Sequence, residues 1–243
     1  MNLFRKGIFW ILPIIIGMFL GVFGIKQFQN GLAANIVQMY SLIIRDVVVL
    51  GLVLPAMSLL VLKEINEFMV CRRILAIQAR HEWWEAVCRR VFINCIGLAA
   101  VILLPAFLLA RICMGEGREF WEWGYVISLL LTFFLYLCVS SLCMVLLEMK
   151  IRQNIFSVCV VLIASFLPNI VSFLFRESGI PDIGGLLSLA YALDDDVFSV
   201  GMEEVQGIYW FRCVGVCAVF FILLLVFVRV GRVLVKRQDI FWK

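Results

Sequence analysis

Long runs of apolar residues, separated by short charged segments, dominate the pattern of hydrophobic and polar positions along this chain. A hydrocarbon core of about 30 Å needs roughly 20 apolar residues per helix, so each run predicts one membrane-spanning helix. The second run is the shortest, and it extends back to Met39 if Arg45 is buried or reaches toward the headgroups. The predicted spans cover residues 8–25, 47–62, 91–110, 125–147, 155–175 and 211–228.

These runs are apolar on all sides, which favours helices over strands. Helices and closed barrels are the two structures that satisfy the backbone in lipid, and a barrel strand alternates apolar and polar residues. Residues 126–131 read Val-Ile-Ser-Leu-Leu-Leu and do not alternate. We therefore expect an all-α integral membrane protein with six transmembrane helices, forming a single transmembrane domain over residues 1–243.

The composition agrees with this class and excludes a soluble domain. Of 243 residues, 64% are hydrophobic and 16% are charged, whereas soluble domains contain roughly 45–50% apolar and about 25% charged residues. A single soluble core of this size cannot bury that excess, because much of a folded chain faces solvent. Lipid is therefore the expected solvent for most of the surface.

The positive charges predict the orientation. Fifteen of the 21 Lys and Arg residues fall in segments on one side of the predicted membrane, namely residues 1–7, 63–90, 148–154 and 229–243. Since cytoplasmic loops are enriched in Lys and Arg, both termini are expected in the cytoplasm, in a multi-pass protein of the plasma membrane. The net charge of +4 then reflects attraction to anionic headgroups, with no nucleic-acid partner.

Two loops carry structure of their own. Residues 63–90 contain no Gly or Pro, and we expect helical extensions with a short connecting helix near Arg73–Glu85. That helix inserts into a groove on a partner, or lies on the membrane with Trp83 and Trp84 in the headgroup belt, or does both. In the outer segment, residues 176–210, the stretch Ile180–Leu193 is apolar but too short to span, which predicts a re-entrant or interfacial helical segment.

Smaller motifs add little chemistry. Gly17 and Gly21 form a small-xxx-small pattern, which predicts close helix packing. The three carboxylates of residues 194–196 are expected to cap a helix or stay solvated, so no metal site is predicted. Cys113 and Cys213 both lie near the outer face, where pairing remains an alternative to two free thiols.

Catalytic residue patterns are nearly absent. His81 is the one histidine, and the sequence contains neither a C-x-x-C nor a G-x-x-x-x-G-K-[ST] motif. An intramembrane lipid-modifying enzyme would need polar residues converging at one depth, and no such set is evident. We therefore expect a non-catalytic chain without a cofactor of its own.

The layout resembles the membrane subunit of a bacterial ABC transporter of the ABC-2 class, over essentially the whole chain. The six spans have both ends inside, and the charged loop begins Lys63-Glu64 and continues with Arg72-Arg73. A broken apolar segment precedes the last span, and the basic tail reads Lys-Arg-Gln-Asp-Ile over residues 236–240. Many members begin with an amphipathic elbow helix, whereas seven residues precede the first apolar run here.

The resemblance implies a permease that does no chemistry itself. A separate ATPase subunit would bind ATP and Mg²⁺, and a second permease chain, identical or different, would complete the path for a peptide, an antibiotic or another amphipathic compound. In the family, the loop after span two docks on the ATPase, and the same residues could equally be solvated helix-surface charges. The corresponding residues here are Glu64, Arg72, Arg73, Arg80, Glu82 and Glu85. The alternative is a non-transporting scaffold or immunity protein that binds a toxin or sensor partner.

Overall fold

The structure is a computed structural model. It describes residues 2–30, 39–40, 43–44, 48–68, 80–114, 120–175 and 202–237. The predicted re-entrant segment and the pair Arg72-Arg73 lie outside the described residues.

Six α-helices account for most of the described residues, and the part of the chain that the structure describes contains no strand. A π-helical segment, Val49–Val53, leads directly into the second helix. The helices are α1 (Asn2–Gln29), α2 (Leu54–Phe68), α3 (Arg80–Met114), α4 (Phe120–Ile151), α5 (Asn154–Phe175) and α6 (Met202–Arg237). The all-helical prediction is therefore confirmed for the described residues.

Four of these helices are long and apolar enough to cross a membrane. The qualifying stretches are Phe9–Gln27, Glu82–Leu109, Val126–Ile151 and Phe211–Lys236. Helix α2 has 15 residues, and the apolar part of α5, Asn154–Pro168, is also shorter than a full span. The chain is a multi-pass membrane protein by the length and composition of its helices, and spans two and five of the six stay predictions.

The helices alternate in direction. Helix α1 runs parallel to α3, since Trp10 lies over Gly97 and Gly17 lies against Val101. Helix α4 runs antiparallel to α3, because Cys95 near the start of α3 contacts Ser141 near the end of α4. The starts of α1, α3 and α5 and the ends of α2, α4 and α6 consequently lie at one end of the bundle.

Helix α4 is central and α6 is peripheral. In the apolar stretch of α4, 67% of the residues are buried, whereas the corresponding value for α6 is 22%. The outward faces of the helices are apolar, as lipid contact requires; Met18, Ile127 and Ile222 are each about 60% exposed. These faces match a hydrocarbon environment rather than water.

The two glycines predicted to form a packing motif lie in the α1–α3 seam. A Cβ atom at Gly17 would overlap the carbonyl oxygen of Val101, and one at Gly21 would lie 3.0 Å from Cδ1 of Leu109. Because backbone cannot move aside as a side chain can, only glycine permits this approach at position 17.

The structure corrects the prediction for the tryptophan pair. Arg80–Glu85 forms the start of α3 rather than part of a separate connecting helix. Trp83 and Trp84 are 2% and 0% exposed, so they lie inside the protein and not in a headgroup belt. The physical reason is that both indole N–H groups find backbone carbonyl partners within the bundle.

Candidate functional site: the basic end of the bundle

We call the end at which α3 begins and α6 ends the basic end, because most described cations lie there. Lys63 at the end of α2 lies 4.5 Å from the centroid of the Phe9 ring in α1, which places those two termini together. The remaining cations follow from the direction of each helix. They are Arg89 and Arg90 of α3, Lys150 in the last turn of α4, Arg152 just after it, and Arg229, Arg232 and Lys236 of α6.

A tryptophan joins α3 to α6 at this end. The Nε1–H of Trp84 donates a hydrogen bond to the carbonyl oxygen of Val228 at 3.0 Å. The ring lies directly on Gly231, where a Cβ atom would overlap it. This Trp84–Gly231 joint combines a buried ring with a directional hydrogen bond, so it fixes both the separation and the register of the two helices.

A second tryptophan joins α3 to α2. The Nε1–H of Trp83 donates to the carbonyl oxygen of Phe68, the last residue of α2, at 3.3 Å. The segment 69–79, which connects α2 to α3, lies outside the described residues. The end of α2 and the start of α3, to which this segment is attached, are in contact through that hydrogen bond.

Two ion pairs at the basic end differ in burial. Arg90 Nε donates to Glu64 Oε2 at 3.1 Å, and the Glu64 side chain is 11% exposed. Arg232 Nη2 donates to Glu85 Oε1 at 3.1 Å, but these side chains are 51% and 55% exposed. The first pair holds α2 to α3 through a largely buried carboxylate and an arginine that is 36% exposed. The second bridges α3 and α6 at the surface.

The residues predicted to contact an ATPase therefore have different positions. Glu64 is paired inside the bundle, whereas Glu82 and Glu85 are exposed on the first two turns of α3. Arg80 opens the same helix, and its side chain is not described. Arg72 and Arg73 lie outside the described residues.

The turn between α4 and α5 also lies at the basic end. Glu148 is buried, and its Oε2 accepts a hydrogen bond from Ser157 Oγ at 2.9 Å. Arg152 has φ 56°, in the left-handed region that usually favours glycine, and its N–H donates to the Glu148 carbonyl oxygen. A buried carboxylate thus supports the tight reversal of the chain.

Two apolar cavities, both open to the surface, flank α6 farther from the basic end. The larger, about 660 Å³, lies between α4 and α6, with Phe92 of α3 on one side. The smaller, about 190 Å³, lies between α4, α5 and α6, and Tyr136 and Phe220 are among the residues that line it. Both lie within the apolar stretches of α4 and α6, and these volumes admit hydrocarbon groups more readily than charged ones.

Four polar side chains of α4 recur every fourth residue, at Ser128, Thr132, Tyr136 and Ser140. The Thr132 hydroxyl donates to the Ser128 carbonyl oxygen at 2.8 Å, and it lies 3.3 Å from the Sγ atom of Cys217. This stripe is consistent with interhelical polar contacts in a membrane. Cys213 beside it is buried. The side chain of Cys113 is not described, so the question of a Cys113–Cys213 pair lies outside the described residues. No metal-binding group of His, Cys, Asp or Glu occurs among the described residues.

Sequence reasoning missed the contacts that tie α6 to the rest of this site. The sequence offers the headgroup belt as one of two positions for Trp84, and no pattern in it marks Gly231 or Arg232 as a contact of α3. One feature of the sequence could have indicated the contact. Gly231 is a small residue near the end of α6, where the other residues are bulky or basic. Such a residue indicates close approach of another element.

No protein-family model, curated protein or solved structure matches this chain. The geometry of the basic end and of the cavities beside α6 is therefore the basis for assigning a function.

Proposed function

We propose that this chain is the permease subunit of an ATP-driven exporter of the ABC-2 class. It would work with a separate ATPase subunit and a second permease chain, identical or different, in a bacterial cytoplasmic membrane with both termini inside. Its cargo would be a peptide, an antibiotic or another amphipathic compound. ATP and Mg²⁺ would bind the partner ATPase, and this chain would do no chemistry.

The observation that carries the proposal is the linkage at the basic end. The attachments of residues 69–79 meet where Trp83 contacts Phe68. From there α3 is tied to α6 through the Trp84–Gly231 joint. A push on the loop would consequently reach α6, the helix that lines both apolar cavities.

The mechanism is a two-state movement of helices. Binding of ATP would bring two ATPase subunits together and displace the loop segment and the start of α3. Because the joint couples α3 to α6 through a rigid ring and a directional hydrogen bond, α6 would shift with α3 rather than bend independently. A change in the α4–α6 spacing would alter the larger cavity, and the two states would be biased by nucleotide and by cargo.

The orientation of the basic end supports the same assignment. Lys and Arg are enriched on the cytoplasmic side of membrane proteins, which is where a cytosolic ATPase docks. Glu82 and Glu85 are exposed at the start of α3, where such a partner can reach them, although Glu85 is paired with Arg232 at the surface. Glu64 is largely buried and paired with Arg90. Glu64 would then contribute by holding α2 and α3 together, not by contacting the ATPase.

The test is co-purification in mild detergent with an ABC ATPase encoded beside the gene of this protein. Wild type is compared with Arg72→Glu/Arg73→Glu, which reverses the adjacent basic pair of the loop. The matched control is Arg5→Glu/Lys6→Glu, which reverses an adjacent basic pair near the start of α1. We expect wild type and the control to retain a stoichiometric ATPase and the loop variant to lose it.

Each other outcome has a definite meaning. If wild type retains no ATPase, the exporter proposal fails and a scaffold or immunity protein becomes the better assignment. If all three proteins retain it, the exporter proposal stands but the docking surface lies elsewhere. If the loop variant and the control lose it equally, general charge at this end governs the association and the loop has no special role.

A further inference from the structure

One face of α6 is exposed from Val214 to Lys236, and its chemistry changes from apolar to basic along that length. Five full helical turns take 18 residues, so Arg232 lies on the same face as Val214, and Lys236 on the same face as Ala218. Phe221 is 52% exposed on this face. All of these side chains are exposed, and the apolar ones line the larger cavity.

The gap between the cavity and the cations is also covered by apolar surface. Leu225 follows Phe221 by one turn and is 51% exposed, and Arg229 follows Leu225 by one more turn. On α3, Phe92 lines the cavity and lies two turns from Glu85, which is paired with Arg232. The cavity and the basic end are thus joined by a continuous strip along α6.

We propose that this strip binds one anionic phospholipid, with an acyl chain in the larger cavity and the phosphate at the cations of α6. An apolar cavity in lipid surroundings accepts hydrocarbon, and a basic cluster at the membrane surface attracts anionic headgroups. The cavity alone would accept any apolar chain. The cations on the same helix face select a negatively charged headgroup.

The dimensions agree with the acyl chain of one leaflet. Arg232 and Phe221 are separated by 11 residues, or about 16 Å at the helical rise of 1.5 Å per residue. Half of a hydrocarbon core is about 15 Å thick. A phosphate at the level of Arg232 would consequently place the end of its acyl chain at Phe221, inside the cavity.

Glu85 does not block the position proposed for the headgroup. Glu85 accepts one N–H of Arg232, but both side chains are about half exposed, and solvated pairs of this kind are weak. Arg229 and Lys236 lie roughly one turn to either side of Arg232 on the same exposed face. Together these groups leave the strip with a positive charge, even with Glu85 ionised.

The test uses the whole purified protein, stripped of lipid and titrated with palmitoyl-oleoyl phosphatidylglycerol or the corresponding phosphatidylcholine, with bound lipid counted by native mass spectrometry. The charge variant is Arg229→Gln/Lys236→Gln, which leaves the Glu85–Arg232 pair in place. Its matched control, Lys63→Gln/Lys150→Gln, removes two charges from the same end of the bundle. The cavity variant is Ala218→Phe, and its control is Val226→Phe, an exposed position on α6 that lines neither cavity.

We expect one phosphatidylglycerol to bind wild type in preference to phosphatidylcholine. The charge variant should weaken phosphatidylglycerol binding by about fivefold for each cation removed and leave phosphatidylcholine binding unchanged. Ala218→Phe should weaken the binding of both lipids, and each control should behave as wild type. Equal binding of the two lipids by wild type, or equal losses in a variant and its control, would overturn the proposal.

Competition with inorganic phosphate separates a lipid site from a simple anion site. Failure of millimolar phosphate to displace phosphatidylglycerol supports the lipid, because the acyl chain contributes most of the binding. Displacement by phosphate alone would mean that the cavity is not used, and the proposal would fail. None of these outcomes depends on an ATPase, so the lipid site and the exporter function are tested separately.

Discussion

Helix α3 is held to its neighbours in two contrasting ways. In the middle of the bundle it meets α1 through shape alone, with Gly17 against the backbone at Val101. At the basic end it meets α6 through a buried ring, a hydrogen bond from Trp84 to Val228 and a surface ion pair between Glu85 and Arg232. The first contact resembles the small-residue seams common between membrane helices, and the second resembles the polar anchoring found at water-facing ends.

The difference distinguishes the seam between α1 and α3, which holds the bundle together, from the contact between α3 and α6, on which a partner could act. A glycine seam has no charged or polar group that responds to a partner, and it loses contact area with any displacement. The Trp84–Gly231 joint lies beside exposed charges and beside the attachment of residues 69–79. We therefore expect α1 and α3 to behave as one unit, and α6 to be the helix that follows this unit and changes its position relative to α4.

The largest expected effect comes from the joint itself. Replacing Trp84 with Ala removes a fully buried ring, which typically costs about 3–5 kcal/mol of unfolding free energy. Gly231→Ala alone should also destabilise, because its Cβ would overlap the ring. Unfolding in detergent, followed by far-UV circular dichroism, measures both changes.

The double variant decides whether the two residues form one contact. In the Trp84→Ala background the overlap is gone, so Gly231→Ala should cost almost nothing or stabilise α6 slightly, since Ala favours helices over Gly by roughly 0.5–1 kcal/mol. Strong non-additivity is therefore the expected result. Simple addition of the two single effects would show that the ring and the glycine do not act as a pair.

A smaller effect is expected in the glycine seam. Gly17→Ala introduces a Cβ against the Val101 carbonyl oxygen, and forcing an extra carbon into a packed contact costs about 1–3 kcal/mol. Gly51→Ala is the control, because its added Cβ would have no atom within 4 Å apart from its own local backbone. The unfolding midpoint should fall for Gly17→Ala and stay level for Gly51→Ala; equal midpoints would mean that α1 and α3 separate easily at this point.

Part of this comparison was predictable from sequence. Gly17 and Gly21 could be recognised because the small-xxx-small spacing within an apolar run is a local pattern, and it indicates close packing without knowledge of the partner. The helix class was predictable for the same reason, since each apolar run is read on its own.

The basic end was not predictable in the same way. The Trp84–Val228 contact joins residues 144 positions apart, and no spacing within either segment indicates the other. Tryptophans beside Arg and Lys are typical of the headgroup belt, so a local interpretation offers that belt as one position for Trp83 and Trp84. Their burial depends on carbonyl oxygens supplied by distant residues, which only the folded chain brings together.

The smallest effects concern the two ion pairs. They test whether the pair with the more buried carboxylate contributes more to the free energy of unfolding than the pair at the surface. Glu64→Gln leaves Arg90 with a weaker acceptor in a largely buried position, so we expect a loss of about 1–2 kcal/mol. Glu85→Gln acts on a half-exposed pair and should cost less than about 1 kcal/mol. Repeating both unfolding measurements at high salt sharpens the contrast, because screening weakens exposed pairs more than buried ones. The small Glu85 effect should vanish in salt and the Glu64 effect should persist; the reverse would mean that Glu85, not Glu64, fixes the start of α3.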